Sequence, residues 1–360
     1  MDRLLRALDE LRIHGTEEDE AEFRQFQMNL LKQLRKEEIE VLEQLDRHHT
    51  KTFRHSLLVA RDTEYIARHL GLRESKVKSL ALAALLHDVG KLDIHKVILS
   101  LGPESERRSI WAHAHPGSPI PMGLLVTEIT IRDIISYKAS LSDEPKKYRK
   151  NFESWMRERG LEDFLDKSLK EYIQHHQDST RSILESIGVK QELVNYAASH
   201  HLSYFDKRKR HKLPRECCII EVADKFNAII QSEGARNYIS KGTRTEALVI
   251  ISHEMRSQLK GFFKRYEKKA LQVLVKEYLP QEVHTELVPK VRQLVTNLRH
   301  RVKTLKRVKD KNEREEASKM VALIAVTISV SKEFGHVLDR STENDLEHYE
   351  YEIESMLKAA

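Results

Sequence analysis

Cysteine is nearly missing from this chain. Only two occur in 360 residues, at the adjacent positions Cys217 and Cys218, and neighbours in sequence are poorly placed to pair with each other. A disulfide framework is excluded, and the expected setting is a reducing cytoplasm. Glycine (12) and proline (8) are sparse and aromatics make up 6%. Short alternating runs closed by Gly or Asn-Gly turns are nearly absent, which argues against a β-sandwich or a doubly wound sheet. Long hydrophobic runs are lacking as well. The longest, MVALIAVTISV at 320–330, is well short of the ~20 residues that span a bilayer. The N-terminal stretch MDRLLRALDELRIHGTEEDE alternates charge with leucine and has no uninterrupted apolar core of the signal-peptide kind.

No charge sign dominates. Lys+Arg number 62 against Asp+Glu 56, a formal +6, which gives mild support to a phosphate or nucleic acid partner. What the chain does have is 33% charged and 40% hydrophobic residues, the composition of long helices around a full core. The expected fold is all-α.

Hydrophobic spacing organises the chain. Residues 1–50 read as an N-terminal helical arm of two amphipathic helices, the second over Glu18–Asp46. A further helix over Thr52–Leu70 places His55, Leu58, Val59, Asp62, Tyr65, Ile66 and His69 on one face, so His55 points inward. The next, about Glu74–Val89, stops at Gly90. HPGSPIPMG, beginning at His115, is too rich in proline and glycine for a helix and marks an insertion of about 116–168. Over 161–188, Leu169, Tyr172, Ile173, His176, Thr180, Ile183, Leu184 and Ile187 share a stripe, with His175 rotated off it. Residues 191–202 form a helix ending in His200-His201. The basic loop DKRKRHK follows, and then a helix over 215–232 carrying Asp224 among apolar neighbours. Residues 266–360 read as a C-terminal helical bundle. Its apolar positions 291, 295, 298, 302 and 305 follow an alternation suited to a coiled-coil-like seam, and a homodimer through the terminal helices is expected.

The chemistry lies in LALAALLHDVGK. His87-Asp88 ends an apolar helix, where a buried carboxylate costs several kcal/mol unless it is paired, and a cation supplies the pair. His55, His87, Asp88, His176, His200, His201 and Asp224 are alike in type: imidazoles and carboxylates of the kind that surround two divalent ions, with Asp88 suited to bridge both. His115 is a rival to His176 for this role, but prolines surround it, whereas His176 lies on an apolar helical stripe.

HDVGK, the upstream His55, the HH pair and VADKFNAI together resemble the HD superfamily of metal-dependent phosphohydrolases, and within it the HD-GYP branch, whose members hydrolyse cyclic di-GMP. The resemblance covers about 51–265. It implies an HD-GYP-like helical bundle in which His55, His87, Asp88 and Asp224 hold one metal, and Asp88, His176, His200 and His201 the second. Lys91 would contact a substrate phosphate. Arg236 and Tyr238, in GARNY, look like a later R-x-Y segment of the family. Iron or manganese is favoured, with zinc, nickel or magnesium also compatible.

The departures from the family are specific. The GYP tripeptide is missing, and the loop with Lys207 and Arg208 stands in its place as a candidate cationic lid over a phosphate-rich substrate. Thr180 replaces a usual glycine. Lys51 stands where some members carry a glutamate that recruits a third metal, so two ions are expected. The leading expectation is a phosphodiesterase acting on a cyclic dinucleotide or related nucleotide. The alternatives are a degenerate nucleotide-sensing module and, ranked lower, an HD-fold diiron oxygenase. The second basic stretch, Arg299–Lys311, lacks the interleaved aromatics of a nucleic acid site.

Overall fold

The computed structural model describes residues 17–102, 104–118, 127–201, 214, 216–230 and scattered helical positions from 269 to 355. The protein is mostly helical, with no strand or sheet among the described residues. Its helices are α1 (Glu17–Leu31), α2 (Lys36–His69), α3 (Glu74–Leu86), α4 (Lys96–Leu99), α5 (Glu104–Ala114), α6 (Ile131–Ser140), α7 (Pro145–Glu158), α8 (Leu169–Gln174), α9 (His176–Ser186), α10 (Gln191–Ala197) and α11 (Cys217–Ile230), with 3-10 turns at Val89–Asp93 and Glu162–Phe164. None of the described helices is long and apolar enough to cross a membrane. The chain divides into two compact units, one formed by 1–61, 78–200 and 231–241, the other by 62–77, 201–230 and 242–360.

In the first unit, the helix expected over Glu18–Asp46 is two helices broken at 32–35. Glu38 causes the restart: its carboxylate accepts from Arg35 N–H (2.8 Å) and Arg35 Nε (3.0 Å), satisfying a helix N-terminus and complementing its dipole. The expected break between Asp46 and Thr52 is instead a kink within α2 at His49, whose backbone is extended (φ −157°, ψ 89°). The 161–188 stripe is carried by α8 and α9, with the chain breaking at His175 and no stripe residue exposed. A capping box of Ser168 and Glu171 starts α8. Gly188 (φ +69°) ends α9, with Val189 N–H donating to Leu184 O (2.9 Å) in the manner of a Schellman turn.

One apolar cluster in this unit collects Ile94, Ile98, Leu101, Ile110, Ile129, Ile131, Ile134, Ile135, Phe152, Met156, Leu161, Leu169 and Tyr172. It draws on α4 to α8, with α5 packed on α6 and α6 on α7. The opposite end of α8 leads into α9, which packs on the turn 89–93 and on α10.

In the second unit, α11 buries Cys217, Cys218, Ile219, Ile220, Val222, Ala223 and Phe226. Asn227 on α11 donates through Nδ2 to Asp62 Oδ2 (2.8 Å) and to Ala223 O (3.0 Å). Both cysteines are buried thiols outside any disulfide, and burial pushes the Cys217 thiol up, which keeps it unreactive.

Several sequence expectations fall outside the described residues: Lys207, Arg208 and their basic loop, Arg236 and Tyr238, the 291–305 seam, and the stretches 299–311 and 320–330.

Candidate metal centre

His87 and Asp88 were expected in the last turn of a helix. They are the two turn residues just beyond α3, leading into the 3-10 turn Val89–Asp93. His200 likewise lies past the end of α10, which stops at Ala197, and His176 opens α9 after the break at His175. All three histidines therefore sit at chain breaks, where helix-end carbonyls are open. Each uses one: His87 Nδ1 donates to Ala84 O (2.6 Å), His176 Nδ1 to Ile173 O (2.5 Å) and His200 Nδ1 to Ala197 O (2.6 Å). Each bond spans three residues, so the same local geometry recurs at three places.

This repeated bond fixes the tautomer. A carbonyl can only accept, so Nδ1 carries the proton and Nε2 presents a lone pair in each neutral ring. These lone pairs converge. His176 Nε2 lies 3.2 Å from His200 Nε2 and 3.5 Å from Asp88 Oδ1, and His87 Nε2 lies 3.3 Å from Asp88 Oδ2. One ligand atom from each of His87, Asp88 and His200 falls within 4.8 Å of the others. The ring centres are 4.7 Å apart for His87 and His200, and 5.6 Å apart for His55 and His87. His55, His87, Asp88, His176 and His200 are all buried.

Electrostatics keep these groups in ligating form. Burial pushes His176 down to about 4, against the opposing pull of Asp88 and with help from Lys91, so its ring is neutral at pH 7. Burial works to raise the Asp88 carboxyl, but His87 and Lys91, with His176 beyond them, hold it well below the usual carboxylate range. Lys91 Nζ pairs directly with Asp88 Oδ2. Imidazole nitrogens and an ionised carboxylate thus lie 3.2–3.5 Å apart in a buried space, with the Lys91 ammonium on one carboxylate oxygen. The donor set fits a divalent metal of the kind that accepts nitrogen and carboxylate oxygen.

Two residues make the cluster compact. Thr180 on α9 accepts from Gly90 N–H (3.0 Å) and donates to His87 O (3.0 Å) through its hydroxyl. Gly90 had been read as a helix stop, yet it has no positive φ. Its role is close approach: a Cβ there would lie 1.9 Å from His176 O and 2.4 Å from Thr180 N. Thr180 was noted in the sequence only as a departure on an apolar stripe, and its position four residues after His176 was the one available signal. The three carbonyl anchors had none, since any residue supplies a carbonyl.

His115 is placed apart from these groups, its ring 3.9 Å from that of Trp111. His175 packs against Phe164, 4.5 Å between ring centres. In the second unit, His201 Nδ1 lies 3.8 Å from Asp224 Oδ2, with Asp224 buried on α11.

No curated protein and no solved structure matches the chain. Among protein families, the model described as "HD domain" matches residues 52–162, less than a third of the sequence. That stretch contains His55, the His87-Asp88 pair and Lys91, and it ends before His176. Residues 52–162 are thus similar to the HD domain, and the buried His-Asp pair lies within that stretch.

Proposed function

We propose that this protein is a metal-dependent phosphodiesterase acting on a cyclic dinucleotide of the cyclic di-GMP kind, or on a related nucleotide. The HD domain and the His/Asp cluster support the coarser reading of a metal-dependent phosphohydrolase. The observation that carries it is the three-fold repeat of Nδ1-to-carbonyl anchoring, which presents Nε2 lone pairs beside Asp88. In this reading His55, His87, Asp88 and Asp224 hold one divalent ion, and Asp88, His176, His200 and His201 hold another, iron or manganese being favoured over zinc, nickel or magnesium. When bound, such a pair supplies a hydroxide nucleophile and neutralises phosphoryl charge.

The chain's own residues do the rest. The Nδ1 anchors hold the imidazoles in a fixed tautomer and orientation, so no proton has to leave before a ligand bond forms. Asp88 stays ionised across the neutral range. Lys91 holds a buried ammonium beside Asp88, and the resemblance assigns it to a substrate phosphate and Arg236, Lys207 and Arg208 to the substrate side. The substrate is a soluble phosphate ester, and a homodimer through the terminal helices belongs to the same proposal.

The test is metal analysis of protein purified without added metal, followed by a screen of cyclic and linear dinucleotides. Bound transition metal with turnover that disappears in Asp88→Ala is the expected result. Metal-free protein that hydrolyses no phosphodiester after loading with iron or manganese would sink the reading. Nucleotide binding without turnover would replace it by the sensing module, and oxygen consumption with a polyol or phosphonate by the oxygenase.

A further inference from the structure

An open hollow on the surface of the first unit, of about 490 Å³, is lined by Gln44, Arg47 and His48 of α2, Leu92 and Asp93 of the 3-10 turn, Lys96 of α4, Arg159 after α7 and Ile183 of α9. None of the cluster histidines lines it, nor does Asp88. Its volume suits a small molecule. Its chemistry is one-sided: three permanent cations face a single carboxylate, Asp93.

The three cations are exposed to solvent. Lys96 Nζ donates to Arg47 O (3.4 Å). The Arg159 guanidinium lies over the Trp155 ring, 4.2 Å from its centre. Arg47 pairs with Glu43 (3.2 Å), but among the described residues neither Lys96 nor Arg159 has a salt bridge. His48 lines the same surface, its Nε2 donating to Ile94 O (2.8 Å). Burial lowers its affinity for a proton, against the pull of the Ile94 carbonyl, and the charges of Lys96 and Arg159 lower it further. Three like charges on one surface form a positive field suited to an anion. Leu92 and Ile183 add an apolar wall, which bare inorganic phosphate does not need.

We propose that this hollow is a second ligand site, separate from the histidine cluster, that binds a phosphate-bearing molecule of about mononucleotide size through Lys96 and Arg159. The site does not rest on the phosphodiesterase reading, since no metal and no turnover is required. Lys96 and Arg159 supply the charge-assisted contacts, Arg47 adds its field, and the neutral His48 offers Nδ1 as an acceptor to a ribose or base.

The experiment is calorimetry on the full chain in chelator, with GMP and inorganic pyrophosphate as probes. GMP is expected to bind the wild type, and Lys96→Gln/Arg159→Gln at least about tenfold more weakly. The charge-keeping pair Lys96→Arg/Arg159→Lys retains most of the binding, which separates loss of charge from loss of fold. Binding that weakens as salt is raised adds support. Pyrophosphate binding as tightly as GMP identifies phosphate alone as the recognised group; preference for GMP identifies a nucleotide. The proposal is overturned if neither probe binds the wild type. It is equally overturned if the double Gln variant binds as the wild type does.

Discussion

The first unit contains two buried clusters that obey different rules. Around Phe152, Met156, Ile134 and Tyr172, side chains fill space, and any set of similar volume and shape would serve. Around His87, Asp88, His176 and His200, the chain uses particular atoms: three backbone carbonyls three residues back, one threonine hydroxyl, and a glycine that admits a carbonyl oxygen where a Cβ would stand. The apolar cluster stabilises the fold, whereas the polar one gathers nitrogen and carboxylate donors that fit a divalent metal. Stability and activity should therefore separate between them.

The largest effect is expected in the apolar cluster. Phe152→Ala should destabilise the protein by about 3–5 kcal/mol, read by denaturant unfolding, while the metal bound per folded molecule stays the same. If metal content falls with stability, the two clusters are one cooperative structure and the comparison fails. Asp88→Ala tests the other side: turnover should drop by more than about 100-fold, beyond what loss of an outer-sphere partner costs, with bound metal lost. Thr180→Val keeps the shape but leaves Gly90 N–H and His87 O without their buried partner. A cost of about 1–3 kcal/mol is expected, with weaker metal retention than any apolar-cluster variant of equal stability.

The smallest effect compares one histidine from each side. His95 packs between Phe152 and Trp155, 4.3 and 4.8 Å between ring centres, and its Nδ1 accepts from Val97 N–H (3.2 Å). Burial lowers it from 6.5 to about 4, helped by the charges of His48, Arg159 and Lys96, and His176 is lowered to about 4 by the same main cause. Each binds its proton less well folded than unfolded, so their contribution to stability is complete above pH 6.5 and declines as pH falls towards 4. His95→Gln should flatten that decline, and added metal should flatten the remainder by competing for His176. Unfolding midpoints across pH 4–7.5, with and without metal, measure both.

Much of the helical architecture was legible because period is local. The stripe from Leu169 to Ile187 turned out unexposed throughout, and His55 points inward from α2 as its spacing implied. Helix ends were less legible. The break at 32–35 depends on Glu38 folding back on Arg35, and the kink at His49 falls between two stretches of equally good helical pattern. The extra polar turn after α3 was taken for helix because His87 and Asp88 follow an apolar run without a stop signal.

By itself the sequence determined the all-helical class, the absence of a disulfide framework, and the presence of a His-Asp pair with further histidines spaced through later segments. Those are consequences of composition and period, which act over a few residues. Tertiary structure alone decided that Gly90 serves close approach to α9, and that Thr180 ties the two segments together. It also set His87, His176 and His200 on helix-end carbonyls with Nε2 facing one another, and brought His48, Lys96 and Arg159 to one surface from segments more than forty residues apart. Side chains distant in sequence meet only when packing brings their elements together, and no local pattern encodes which ones will.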